Sequence, residues 1–306
     1  MMRTVTSAAM AFMLGCPAML ATPATAQAPL TPLEFLHNDQ VEIEYNEPET
    51  AKYKPIYQKV VDRKVLERFE TFLSPLRLKS SLKLSFEEGD KKVCGSPNSY
   101  YDGQGTLHLC YSWFYMLENE AAKEYPRKAN EPFTIMSPGR MPGVTREEVI
   151  IGGAVQVMLH ELGHGLFDIQ EIPRLGREED AADQLASLLM LQFGDKVALT
   201  TIKGSFNTWH HLNSQYKGNI PARAEADVHS LAIQRSYNIL CTAYGKDPKT
   251  FGDLADALLP RARKSDCANE YRQAAIAFRK TFMPDIDQKL AQKVQGMEIL
   301  NPDHFK

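Results

Sequence analysis

The sequence predicts an α+β fold that is mostly helical, with a small antiparallel sheet packed on one buried helix. Segments with helical periodicity outnumber segments that alternate like strands, and the two kinds do not alternate along the chain. The 306 residues are 43% hydrophobic and 24% charged, an ordinary globular composition that excludes collagen-like, low-complexity and wholly disordered chains. The formal net charge of −3 gives a nucleic-acid-binding role no electrostatic support.

The first 26 residues have the layout of a cleavable export signal. Arg3 is the only charge before Glu34, a mostly apolar stretch runs from Val5 to Leu20, and small residues precede the predicted cleavage site after Ala26. An uncleaved anchor and a lipoprotein signal are the less favoured alternatives, because the stretch is short and interrupted. We therefore expect an exported protein, periplasmic or extracellular, with no stable membrane span after cleavage.

The cysteine count supports export. Cys16 leaves with the signal, and the four cysteines that remain are an even number, which in an exported chain indicates two disulfides. Three pairings are open. We favour Cys94–Cys110 and Cys241–Cys267, because each of these pairs closes a local loop.

The region after the predicted signal divides into a lead-in and one domain. Residues 27–53 are rich in proline and acidic residues and predict a mobile or extended lead-in, and residues 54–306 form a single predicted domain. Pro55 opens an amphipathic stretch with helical spacing, which Pro75 ends.

Strand patterns are few. Residues 82–86 and 106–111 alternate apolar and polar side chains, so we expect two antiparallel neighbours linked by the first disulfide. Further along, Pro221 predicts the start of a helix that continues to Tyr244, and residues 268–282 predict a last helix.

Two helices in the middle of the chain are the best defined. Thr145 and Glu148 form a capping-box pattern at the start of the first helix. The run 149–166 that follows is apolar nearly all round, which predicts a buried helix. A second helix is predicted to start near Arg177, with an acidic first turn that suits the positive end of the helix dipole.

The buried helix contains the motif H-E-x-x-H at residues 160–164. Residues four apart lie on one helix face, so His160 and His164 can bind one metal ion. Glu161 lies about 100° round the helix. That position suits a base acting on a metal-activated water. The alternative is an accidental pair of hydrogen-bonded histidines, but burial of these groups is costly unless they are paired or bind a metal.

A catalytic zinc site normally has a third protein ligand. Glu179 on the second helix is our candidate, and Glu178 and Asp168 are its rivals. Asp183, one turn after Glu179, is predicted to accept a hydrogen bond from the free ring nitrogen of His160 and so fix its orientation.

A hydrogen-bond donor often helps the metal to stabilise the oxyanion that develops during amide hydrolysis. His229, preceded by Asp227, is the first candidate for this role, with Arg235 and Tyr101 as alternatives. A purely structural role for His229 is the competing interpretation.

The two central helices resemble those of the zincin metallopeptidases, of the gluzincin type, in which a glutamate on a second helix completes the site. The wider pattern resembles a family of uncharacterised bacterial proteins described as putative metallopeptidases, a domain of unknown function. The resemblance covers about residues 85–284. It rests on the segments 94–101, 107–111, 160–168, 176–186 and 229–241.

The resemblance implies a zincin-like fold and a zinc metallopeptidase that acts on peptides or proteins. It implies one zinc ion held by His160, His164 and Glu179, with Glu161 as the general base. Two alternatives stay open: a zinc amidase or other hydrolase acting on cell-wall material, and a non-catalytic zinc-stabilised binding protein. Glu161 argues against the second, because a closed structural site needs no carboxylate there.

Overall fold

The structure, a computed structural model, describes residues 35–123, 125 and 143–297. The predicted export signal over residues 1–26, its cleavage site and the first part of the lead-in lie outside these residues. Within the described part, the fold is mostly helical with one small sheet, as an α+β fold requires.

Four strands and twelve α-helices are the main elements of the described residues. The strands are β1 (Val41–Tyr45), β2 (Leu82–Glu87), β3 (Tyr100–Tyr101) and β4 (Thr106–Cys110). The helices are α1 (Lys54–Asp62), α2 (Val65–Leu73), α3 (Tyr111–Met116), α4 (Arg146–Ile169), α5 (Glu178–Met190), α6 (Asp195–Ser214), α7 (Ala222–Glu225), α8 (Ala232–Lys246), α9 (Pro248–Leu258), α10 (Arg261–Lys264), α11 (Cys267–Phe282) and α12 (Gln288–Gly296).

The sheet is mixed, with strand order β1-β2-β4-β3, and this corrects the prediction of an antiparallel sheet. The pairs β1–β2 and β2–β4 are parallel, and only β3 pairs with β4 in antiparallel fashion. Parallel neighbours need a long crossover connection. The chain supplies one in each case: α1 and α2 connect β1 to β2, and residues 88–105 connect β2 to β4. Strand β1 lies within the predicted lead-in, so that region is extended at residues 41–45.

Helix α4 is the core helix of the fold. The predicted capping box is present: the Thr145 hydroxyl accepts a hydrogen bond from the Glu148 amide, and the Glu148 carboxylate accepts one from the Thr145 amide. Within the described residues, α4 alone is long and apolar enough to cross a membrane, but 83% of its most apolar window is buried. The apolar composition of α4 is therefore explained by its burial among the other helices and the sheet.

The helix predicted from Pro221 to Tyr244 is interrupted, which is a second correction. Helix α7 ends after one turn at Glu225, and α8 begins at Ala232. Between them, the Asp227 carboxylate accepts a hydrogen bond from the backbone amide of His229 at 2.9 Å. Such local side-chain bonds compete with helical ones, so the helix breaks and His229 lies in a connecting segment.

Both favoured disulfides are present in the structure. Cys94–Cys110 joins the loop after β2 to the end of β4, and Cys241–Cys267 joins α8 to α11.

Candidate metal centre

The centre is built where α5 packs closely against α4. The chain reverses between the two helices through Gly176, whose φ of +96° favours glycine. The helices approach closely at Gly163, where an added Cβ would lie only 3.2 Å from the Ala182 Cβ. This close approach brings the carboxylates of α5 within reach of the histidines of α4.

Three predicted ligands converge at one point. The Nε2 atoms of His160 and His164 are 3.2 Å apart, and each lies 3.1–3.2 Å from the Glu179 Oε2 atom. Three donor atoms thus form a nearly equilateral triangle. The ligands of a tetrahedral zinc ion, at bond lengths of about 2.0–2.1 Å, are about 3.3 Å apart, so the spacing fits such an ion.

A carboxylate accepts a hydrogen bond from the Nδ1 atom of each of these histidines. Asp183 accepts a hydrogen bond from His160 Nδ1 at 2.8 Å. Glu178 does the same for His164 Nδ1 at 2.8 Å, so this rival ligand occupies a supporting position. Both Nε2 atoms are therefore the ring nitrogens left for a metal.

Asp183 is itself held by groups that the sequence analysis did not assign to it. Arg235 on α8 donates from Nε to Oδ2 at 2.6 Å and from Nη2 to Oδ1 at 2.5 Å, and Gln156 donates to Oδ1 at 3.0 Å. The Arg235 guanidinium stacks 3.5 Å from the centre of the Trp209 ring. Arg235, one alternative donor to the oxyanion, is therefore buried and engaged with Asp183.

His229 reaches the same point from the segment between α7 and α8. Its Nε2 atom lies 2.9 Å from Glu179 Oε2, while its Nδ1 atom contacts the Asp227 carboxylate at 2.9 Å. One donor atom from each of His160, Glu179 and His229 lies within 4.8 Å of the others, a group that could hold a metal ion. The side chains of His160, His164, Glu179 and His229 therefore lie together.

The side chains of His160, His164, Glu179 and His229 line an open cleft of about 580 Å³. Glu161 lies in the wall of the cleft and is only 6% exposed. The rim includes strand β3, where Tyr101 donates a hydrogen bond from its hydroxyl to Asp168 at 2.7 Å. Asp168 was a rival of Glu179 as the third ligand, and Tyr101 was an alternative to His229 as the donor to the oxyanion. In the structure these two side chains are hydrogen-bonded to each other.

The electrostatics of the cluster follow from burial and from its charges. Burial disfavours the charged form of His160, but Asp183 and Glu179 outweigh it and raise the pKa of His160 to about 9. Burial acts against ionisation of Glu179, yet hydrogen bonds with His160, His164 and His229 lower its pKa. Burial raises the pKa of Glu161. A metal ion that binds here must displace protons, because histidine ligates in its neutral form.

The fold and the site together define a helix-dominated α+β protein with a histidine–carboxylate cluster that could hold a metal ion. A family described as "Putative metallopeptidase" matches residues 45–281, a range that contains the whole cluster and both disulfides. The chain belongs to this family. No curated protein and no solved structure gives a significant match to the chain.

Proposed function

We propose that the protein is an exported zinc-dependent metallopeptidase that hydrolyses peptide bonds in peptide or protein substrates. The observation that carries this proposal is the triangle of His160 Nε2, His164 Nε2 and Glu179 Oε2, with edges of 3.1–3.2 Å. One zinc ion held by these three residues would polarise the scissile carbonyl and lower the pKa of a water molecule. Three protein ligands leave a fourth position open, as catalytic zinc sites require.

Glu161 is the general base in this proposal. It follows His160 directly, so it lies beside the ligand face of α4 and not on it. Its carboxylate takes a proton from the attacking water and delivers it to the leaving amine. Burial raises the pKa of Glu161 in the metal-free protein.

His229 is proposed to donate a hydrogen bond from Nε2 to the developing oxyanion, which requires the form of the ring with a proton on both nitrogens, because Nδ1 donates to Asp227. The contact between its Nδ1 atom and the Asp227 carboxylate orients the ring, so that Nε2 faces the cluster. Asp183 and Glu178 act through the two histidines of α4, whose rings they hold in the orientation that presents Nε2.

Export, to the periplasm or the extracellular medium, is part of the same proposal. Two disulfides in the described residues are compatible with an oxidising compartment. The predicted signal over residues 1–26 supplies the route.

The test is a peptide-library assay with the zinc-loaded wild type and Glu161→Gln. We expect turnover to fall about 10³-fold in the variant while bound zinc is retained, because the variant lacks only the base. Glu42→Gln, an exposed carboxylate on β1, is the matched control and should keep full activity.

Other outcomes would contradict the role of Glu161 or favour one of the alternative functions. Equal turnover by wild type and Glu161→Gln would remove Glu161 from the mechanism. Hydrolysis of cell-wall fragments alone would favour the amidase, and bound zinc without any turnover would favour the binding protein. Metal analysis of His164→Ala should show lost zinc, and full retention would contradict the ligand assignment.

A further inference from the structure

The segment 226–231, which carries His229, has little apolar packing of its own. Ala226, Asp227 and Val228 are exposed, the last with 64% of its surface accessible. Hydrophobic burial therefore does little to fix the position of His229. Its position depends on polar contacts with the neighbouring helix.

Ser230 makes such contacts with the first turn of α5. Its hydroxyl donates a hydrogen bond to Asp180 Oδ1 at 2.6 Å and accepts one from Arg177 Nη2 at 2.9 Å. Arg177 Nη2 also lies 2.7 Å from Asp180 Oδ2, which closes a ring of three side chains. Because the hydroxyl both donates and accepts, its direction is determined by its two partners.

The ring fixes the register between the segment and α5. Two adjacent residues of the segment, His229 and Ser230, contact two adjacent residues of α5, Glu179 and Asp180. A shift of the segment along the helix would break the Ser230 contacts as it moved the His229 ring away from the cluster.

We infer that Ser230 is a positioning residue that holds His229 at the metal centre through Asp180 and Arg177. The catalytic consequence of this inference rests on the proposed function, since His229 acts there on the oxyanion. The placement of the His229 imidazole does not depend on the proposed function. This placement can be measured in the metal-free protein.

The first experiment records the side-chain ¹⁵N resonances of His229 by NMR in the metal-free full chain. Ser230→Ala should shift these resonances, whereas Ser230→Thr, which keeps a hydroxyl, should restore the wild-type spectrum. Ser265→Ala is the matched control, because the Ser265 hydroxyl is exposed and bonds only to a local carbonyl among the contacts described. Unchanged His229 resonances in Ser230→Ala would overturn the inference.

The second experiment is a double-mutant cycle on peptide turnover. Ser230→Ala should lower kcat about ten-fold with KM unchanged, the size expected for a hydrogen bond to a charged partner. In a His229→Ala background, the same substitution should change kcat by less than about two-fold, because the group it positions is gone. An equal loss in both backgrounds would show a structural effect unrelated to His229 and would overturn the inference.

The two experiments separate this inference from the proposed function. If the wild type hydrolyses no peptide, the proposed function fails, while the NMR measurement still decides whether Ser230 places His229. If the wild type is active and the cycle shows no coupling, the proposed function stands and the positioning role of Ser230 falls.

Discussion

Asp183 shows how much of the centre depends on residues that do not touch a metal. It is almost fully buried, and Arg235 and His160 lower its pKa against the opposing effect of burial. It therefore stays ionised and accepts hydrogen bonds from the histidine, the arginine and Gln156. A negative charge in this position keeps the His160 Nδ1 atom protonated and leaves Nε2 free for the proposed metal ion.

Replacing Asp183 by asparagine should weaken zinc binding by about 10- to 100-fold, because the amide orients the His160 ring less well and adds no charge. The measurement is competition for zinc with a chromophoric chelator, on protein shown to be folded by circular dichroism. Asp253→Asn, an exposed change on α9, is the control. Zinc affinity of Asp183→Asn within about two-fold of the wild type would contradict the role assigned to Asp183.

His108 forms a charged contact that lies outside the metal centre. Its Nδ1 atom lies 2.8 Å from Glu87 Oε1, and this hydrogen bond raises the pKa of His108 and lowers that of Glu87. A histidine with a raised pKa stabilises the fold fully below its unfolded pKa of about 6.5, and the stability is lost as pH rises through the folded value. Glu87 contributes to the stability of the fold at higher pH, and this contribution is lost as pH falls below about 4.5.

His108→Gln should therefore lower the free energy of unfolding by about 1 kcal/mol near pH 6 and by less near pH 9. Urea unfolding at the two pH values measures the difference. His37→Gln, with 75% of its side chain exposed, is the control and should show a smaller effect. A deficit for His108→Gln that grows with pH would contradict the assignment.

For individual residues, the sequence was informative where helical spacing alone determines which side chains share a face. The pairs His160/His164 and Glu179/Asp183 each lie four residues apart on one helix, and a sequence displays this spacing directly. The contact of Arg235 with Asp183 could not be predicted, because it depends on how α8 packs against α5. Gln156 lies on α4 one turn before His160, so helical spacing places it near Asp183, but the sequence analysis did not single it out. The supporting role of Glu178 was open to the same reasoning as Asp183, but the sequence alone did not distinguish it from a ligand.

Among the helices, α4 and α6 are in backbone contact. A Cβ added at Gly204 would lie 1.8 Å from the Glu148 carbonyl oxygen and 2.8 Å from the Gly152 Cα atom. The glycine pair therefore sets the distance between the helix that carries the histidines and the helix that carries Trp209.

Gly204→Ala should destabilise the protein by about 3 kcal/mol, because α6 must move away from α4 to admit the methyl group. Gly252→Ala on α9 is the matched control. An added Cβ there meets nothing within 4 Å, so better helix propensity should raise stability by up to about 1 kcal/mol. Chemical denaturation measures both variants, and equal effects would contradict the close contact between α4 and α6.

The sequence predicted which segments form elements better than how the elements are arranged. The long, strongly patterned helices α4 and α5 begin close to their predicted positions because their caps and acidic first turns are local signals. Strand direction carries no such signal, so β2 and β4 were expected to be antiparallel and are parallel. The break before α8 was missed because the bond from Asp227 to the backbone competes with the helix at a position where the pattern alone is ambiguous.

Across the whole molecule, one disulfide joins the loop after β2 to β4, and the other joins α8 to α11. They close loops with sequence separations of 16 and 26 residues. Cross-links over loops of this size stabilise a protein by about 3 kcal/mol, chiefly by restricting the unfolded chain in the chain-entropy account. Cys241–Cys267 joins α11 to α8, the helix that carries Arg235.

Replacing both Cys241 and Cys267 by alanine should lower the free energy of unfolding by about 3 kcal/mol under oxidising conditions. Urea unfolding with and without a reductant is the measurement. The difference from the wild type should shrink once the wild-type disulfides are reduced. A deficit of the same size in reductant would attribute the effect to packing of the two side chains and not to the cross-link.

The short connection between α4 and α5 has a consequence for the order in which the protein assembles. His160 and Asp183 are 23 residues apart, whereas Asp183 and Arg235 are 52 apart, and Ser230 and Asp180 are 50 apart. Closing the shorter loop costs less conformational entropy, and local contacts form sooner during folding. The three proposed ligands thus belong to the early, low-contact-order part of the chain, and His229 arrives only with α8. On the proposed function, a folding chain would therefore bring its metal ligands together before it acquired the donor that the reaction needs.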